Sequence, residues 1–146
     1  MLFRSEAAKP GGSTDLAKGL EAIYQRAQRR GIVFILSDLL SADEAFWRNV
    51  DLFRKSRHDV RIFQIVHPEE LDLPELDSAR FIDPEGNGSF DAEPEAIRAE
   101  YRARFQAFLD ETQSQCRARG CEWRLALTNE NPCRFLRNSF LERGKE

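Results

Sequence analysis

Apolar and polar positions along the chain follow two periods, one helical and one extended. Between positions 15 and 30, Leu16, Leu20, Ile23 and Ala27 fall on one face at helical spacing. Asp15 in the first turn and Arg29 and Arg30 in the last suit the helix dipole, and Gly31 is a stop signal. Ile32, Val33, Phe34, Ile35 and Leu36 then form an unbroken apolar run. The run is too short for a solitary helix and rich in β-branched and aromatic residues, which predicts a buried strand covered on both faces. Ser37 and Asp38 follow at its carboxyl end.

Ser41-Ala42-Asp43-Glu44 has the spacing of a capping box, with Ser41 as N-cap, and opens a helix whose buried face carries Phe46, Val50 and Phe53. His58-Asp59 turns into a second strand over 60–66, which stops at His67-Pro68. Positions 71–93 are less regular and read as a loop followed by an exposed hairpin with arms at 80–83 and 89–91. Pro94 opens a long helix with Ile97, Tyr101, Phe105, Phe108, Leu109, Thr112 and Cys116 near one face, ended by Gly120. A third strand covers 121–127. Asn131 then caps a last helix with Pro132 at N1 and Phe135, Leu136 and Phe140 as its buried stripe.

Strands alternating with helices predict an α/β fold: a parallel sheet with right-handed crossovers, helices on both faces and a small β-hairpin insertion. Positions 1–12 form a flexible start and 13–146 a single domain. Three strands make a thin sheet with an open edge, and an open apolar edge is a liability. A partner, a second copy of the chain or strands preceding Met1 would cover it, so the fold reads as incomplete.

Composition narrows the function classes. The net charge is −3, which gives no basic field for nucleic acid. The longest apolar run falls short of the roughly 18 residues of a membrane span. The first residues lack the apolar core of a signal peptide, so the chain reads as cytoplasmic. Cys116, Cys121 and Cys133 are odd in number and match no zinc spacing, which predicts free thiols.

Asp38 is the leading chemical candidate, because ligands and metals in open α/β sheets sit at the carboxyl ends of the strands. The competing reading of Ser37-Asp38 is a plain turn or helix cap. Gly11-Gly12-Ser13-Thr14 could cradle a phosphate, but it lacks the spacing of a P-loop, and Thr14 equally suits an N-cap. His58 and His67 lie at opposite ends of one strand and form no catalytic pair; they read as turn or surface residues. No nucleophile elbow surrounds Ser37. Cys116 and Cys121 bracket a helix-to-strand turn, where a redox pair is the weaker reading. Glu69, Glu70 and Asp72 read as a solvated loop, and Arg98, Arg102 and Arg104 among glutamates as a solvated helix face.

Several of these segments, in this order, carry a family resemblance. Gly12-Ser13-Thr14-Asp15-Leu16 precedes a helix, and Arg29-Arg30-Gly31 leads into the strand ending in Ser37-Asp38. His58-Asp59-Val60, His67 to Leu71, Asp83-Pro84-Glu85-Gly86, Tyr101 and the stretch 128–143 follow. Together they resemble the second half of a von Willebrand factor A domain, and more closely that of uncharacterised bacterial MoxR-associated proteins. The resemblance implies a metal-ion-dependent adhesion site holding Mg²⁺ or Mn²⁺ at the carboxyl edge of the sheet. Thr14 and Asp38 would be metal ligands, with Ser37 and Ser13 beside them. It also implies that the first three strands of the fold lie before Met1. The Asp-x-Ser-x-Ser motif of such sites is absent from the sequence. The function expected is a non-enzymatic protein-interaction module working with a MoxR-type AAA+ ATPase. The alternatives are a small α/β hydrolase using Asp38, or a truncated remnant with no activity of its own.

Overall fold

The computed structural model describes residues 16–27, 29–71, 81–82, 89–90 and 94–141. The elements follow in the order α1 (Leu16–Arg26), β1 (Ile32–Ser37), α2 (Glu44–Lys55), β2 (Asp59–Val66) and α3 (Pro68–Leu71). The hairpin strands β3 (Phe81–Ile82) and β4 (Ser89–Phe90) precede α4 (Pro94–Ala118), β5 (Glu122–Leu127) and α5 (Pro132–Leu141). Strands β1, β2 and β5 form a parallel sheet in the order β1-β2-β5, and β3 and β4 pair antiparallel. The α/β class, the parallel pairing, the hairpin and the order of elements agree with the sequence reading.

Alternation along each strand sorts the side chains between two faces. On one face Val33 and Ile35 of β1 lie beside Val60 and Ile62 of β2. There they join Leu20 of α1, Phe46, Val50 and Phe53 of α2, and Cys116 of α4 in one buried cluster. On the other face Phe34 and Phe63 meet α5, with ring centroids 5.7 Å from Phe140 and 5.2 Å from Phe135. Helices therefore cover both faces, unequally.

That inequality corrects two expectations. The apolar run of β1 is not covered on both faces. It is an edge strand, and its α5-side residues Ile32 and Leu36 remain 51% and 59% exposed. The central strand is β2, whose apolar residues Val60, Ile62, Phe63 and Val66 are at most 2% exposed. The expected buried stripe of α5 is likewise partly open. Phe135 is half-buried, while Leu136 and Phe140 are exposed, because α5 alone cannot span the face it covers.

Local chemistry moved some boundaries. Helix α1 ends at Arg26, where the Ala27 N–H is shared between the carbonyls of Ile23 and Tyr24. The N-cap of α2 is Asp43 and not Ser41: the Asp43 carboxylate accepts from the Phe46 N–H at 2.8 Å, a bond Ser41 stands too far upstream to make. Asn131 caps α5 as expected, accepting from the Arg134 N–H at 3.1 Å. Gly120 closes α4 with φ +66, and a Cβ there would lie 3.1 Å from the Arg54 guanidinium. That approach lets Arg54 donate to the carbonyls of Arg119 and His58, joining the end of α4 to the start of β2.

All three cysteines are free: Cys116 and Cys121 are buried and Cys133 is exposed. Burial pushes the Cys116 thiol up to about 12, Cys121 adds to the rise, and Arg119 opposes it. Burial also raises Cys121. Both thiols thus stay protonated in the fold above the pH at which they ionise in the unfolded chain. Their contribution to stability is complete below the unfolded-chain value near 9 and is lost as pH rises above it, for Cys116 as pH climbs toward 12. In a thiol-reagent titration at mildly alkaline pH, Cys133 should react at once. Cys116 and Cys121 should react only in denaturant; rapid modification of all the thiols in the native protein would contradict the packing.

Candidate functional site

The carboxyl end of the sheet gathers Ser37 as the last residue of β1, Asp38 after it, His67 after β2 and Thr128 after β5. The Thr128 N–H extends the ladder to the Val66 carbonyl at 3.0 Å. Asp38 is exposed and Ser37 half-buried. The turn between them and α2 is fixed from both sides. The Ser37 hydroxyl accepts from the Leu39 N–H at 3.1 Å and the Asp38 carboxylate from the Leu40 N–H at 3.1 Å. Leu39 sits at φ 63, a left-handed conformation that costs an L-residue energy, while its side chain is 1% exposed in the core.

Beneath the turn lies a residue that the sequence reading passed over. Gln64 is fully buried in the central strand. Its amide nitrogen donates to the Asp38 backbone carbonyl at 3.2 Å, and its amide oxygen accepts from the Trp123 indole at 3.1 Å. A relay Trp123–Gln64–Asp38 thereby crosses all three strands. The signal was available: a neutral amide inside Val60-Arg61-Ile62-Phe63-Gln64-Ile65-Val66 must be hydrogen-bonded if it is buried.

The remaining candidates are placed as follows. Ser13 and Thr14 lie outside the described residues. His58 is no surface histidine: it is buried at the amino end of β2, where its Nδ1 accepts from the Gly31 N–H at 3.2 Å. His67 is exposed at the far end of the same strand, which keeps the two histidines apart as expected. Glu69 and Glu70 lie in the short helix α3, where the Glu70 carboxylate accepts from the His67 N–H at 3.1 Å. Burial, and secondarily the charge of Glu70, raise the Tyr101 phenol.

Two concavities flank this edge. An apolar one of about 270 Å³ lies between the sheet and α5, lined by Leu36, Phe63, Leu127, Pro132 and Leu136 among others. A polar one of about 760 Å³ follows β5 and α5, with Arg124, Asn131, Arg134 and Asn138 in its wall. Arg124 is engaged with Glu122 at 2.9 Å.

For a divalent cation, the donors at the turn fit in kind and fall short in number. Carboxylate and hydroxyl oxygens suit Mg²⁺, but Mg²⁺ demands an octahedral shell. Among the described residues no group of three or more His, Cys, Asp or Glu side chains gathers where a metal could sit. Asp38 with Ser37 does not make a cation site alone.

Gln64→Leu should lower the stability of the chain by about 1–3 kcal/mol in urea denaturation, because it leaves the Trp123 indole and the Asp38 carbonyl without their buried partner. A neutral or stabilising result would remove Gln64 as the support of the turn.

Comparison with known proteins gives one family. A family model described as "Protein of unknown function DUF58" matches residues 1–112, which include the Ser37-Asp38 turn and Gln64. No curated protein and no solved structure matches.

Proposed function

The chain belongs to the DUF58 family, and on that premise we propose that it is a non-enzymatic protein-interaction module whose contact surface is the carboxyl edge of the sheet around Asp38. One observation carries the reading. Asp38 presents its side chain to solvent while its backbone carbonyl is held from below by buried Gln64. A carboxylate fixed in place and left exposed is suited to binding, since little ordering remains to be done when a partner arrives.

The resemblance to von Willebrand A domains names the partner class, a MoxR-type AAA+ ATPase, and gives Thr14 and Asp38 as ligands for Mg²⁺ or Mn²⁺, with Ser37 and Ser13 beside them. Since the described donors are too few for an octahedral ion, the cation enters the proposal only as one that further oxygen ligands would complete. The hydrolase alternative has less support. The Ser37 hydroxyl accepts from a backbone N–H in its own turn, and His67, the histidine at this edge, has its Nδ1 accepting from the Glu69 N–H at 3.3 Å. No helix among the described residues is long and apolar enough to cross a membrane.

The test is binding of the purified chain to the MoxR-type ATPase of its own organism at constant Mg²⁺, comparing wild type with Asp38→Ala. The variant should bind at least about tenfold more weakly, a loss of about 1.4 kcal/mol, with unchanged circular dichroism. Equal binding by both proteins would overturn the assignment of Asp38. An Asp38-dependent hydrolytic activity of the folded chain without a partner would overturn the module in favour of the enzyme.

A further inference from the structure

The amino end of the sheet carries a charge that the whole chain conceals. The net charge is −3, yet the turns that follow α1, α2 and α4 all open on this end, and contacts among them make one surface. The Tyr24 hydroxyl meets Ser56 Oγ at 2.8 Å, the Gly31 N–H donates to His58 Nδ1 at 3.2 Å, and Arg54 donates to the Arg119 carbonyl at 3.1 Å. The carboxylates at this end are engaged within the fold. Asp51 pairs with Arg119, and Asp59 and Glu122 pair with Arg61. Arg29, Arg30, Lys55, Arg57 and Arg117 remain exposed, and their side chains make no hydrogen bond or ion pair among the described residues.

Complementing the helix dipoles accounts for Lys55 and Arg117, which stand in last turns. It does not account for Arg29 and Arg30, which lie beyond the end of α1 at Arg26, nor for Arg57. At the close of α2 the His58 N–H bonds the Phe53 carbonyl at 3.0 Å and the Arg57 N–H the Arg54 carbonyl at 2.9 Å. At the close of α4 the Cys121 N–H bonds the Cys116 carbonyl at 2.9 Å and the Gly120 N–H the Arg117 carbonyl at 3.0 Å. Positions 57 and 120 are therefore equivalent, with φ 63 and +66. One holds the glycine that this left-handed conformation favours, and the other holds an arginine that costs folding energy. The fold gives no reason for an arginine at 57, whereas a use for its charge at the surface does.

We propose that this end of the sheet docks on an anionic lipid bilayer, with its cations on the lipid phosphates. Four of the five cations are arginines, whose planar fork matches a phosphate. Helices α1, α2 and α4 share one core, so their ends lie side by side across roughly 20 Å, two helix spacings, which suits a broad surface better than a groove. Ile23 and Leu52, in the last turns of α1 and α2, are 53% and 38% exposed, and apolar side chains among cations suit the headgroup boundary. Nucleic acid is the poorer match. Among the described residues no exposed ring at this end offers a base a stacking partner: Tyr24 is bonded to Ser56, and Trp47 lies under the Arg119 guanidinium at 4.9 Å. A further strand beside β1 would widen the sheet and leave this end as it is. The surface lies opposite Asp38 and does not depend on the role given to that residue. Docked in this way, the chain holds the Asp38 turn away from the bilayer.

Co-sedimentation of the full chain with vesicles tests the proposal. Vesicles of phosphatidylcholine and phosphatidylserine in equal parts should bind at least about tenfold more tightly than phosphatidylcholine alone, and the binding should weaken as salt is raised. Arg57→Gly should bind the anionic vesicles roughly fivefold more weakly, the share of one surface cation. It should also unfold at a higher urea concentration than the wild type, because glycine meets φ 63 without strain. Arg29→Gln combined with Arg30→Gln, in a turn where neither side chain is bonded to the fold, should lose roughly twentyfold. Arg134→Gln, at the carboxyl end, should bind like the wild type. Equal binding to both kinds of vesicle, or binding to neither, would overturn the proposal. So would wild-type binding by Arg57→Gly, a lower urea midpoint for that variant, or an equal loss with Arg134→Gln. Tighter binding to a mixed-sequence DNA duplex than to the anionic vesicles at the same salt would assign the surface to nucleic acid, and would equally overturn it.

Discussion

Strand β2 is paired on both edges and packed on both faces, so its buried polar side chains draw their partners from inside the protein. It carries two large ones, and each organises an end of the sheet. Toward the amino end, Arg61 is 5% exposed on the α5 side. It donates to the Asp59 carboxylate at 3.1–3.2 Å, and its Nε lies 3.5 Å from a Glu122 oxygen. Its guanidinium sits 5.6 and 5.2 Å from the rings of Phe34 and Phe140. One cation thus ties β1, β2, β5 and α5 together in a setting where losing any carboxylate would leave charge uncompensated. Toward the carboxyl end, Gln64 does the corresponding task with a neutral amide, holding the turn that displays Asp38.

The two faces of the sheet differ in how much they can support. The side of α1, α2 and α4 is a closed aromatic and aliphatic core, with Tyr24 against Phe53 at 5.2 Å and Phe46 against Trp47 at 4.9 Å. Among the described residues the other side has α5 alone, and it leaves Ile32, Phe34, Leu36, Leu136 and Phe140 in partial contact with water. Rigidity is therefore concentrated beneath the Asp38 turn on one side, and unsatisfied apolar surface beside it on the other. Exposed apolar surface and a candidate contact residue lie along the same strand.

Much of this was legible in the residues, and the rest was hidden for physical reasons. Helical spacing at Leu16, Leu20 and Ile23, the proline at 94 and the Asn131-Pro132 start placed the elements, because those signals are local. The apolar run 32–36 announced a strand but not its neighbours: an edge strand awaiting cover and a buried central strand have the same composition. The cap of α2 was read at Ser41 from the spacing of a capping box, and only the backbone geometry moves it to Asp43. Gln64 and Arg61 were visible as polar breaks in an apolar strand, yet apart from Asp59 their polar partners come from 26 to 61 residues away in sequence. Asp38 was found from topology alone, since the carboxyl end of a parallel strand is a general place for ligands.

The most direct test of the account is hydrogen exchange of the Trp123 indole N–H, followed by NMR. If the relay from Trp123 through Gln64 to the Asp38 carbonyl supports the candidate site, that proton exchanges only when the sheet opens, as slowly as the amides of β2. Exchange at the rate of a solvent-exposed indole would mean that Gln64 is hydrated and that the Asp38 turn stands without the support described.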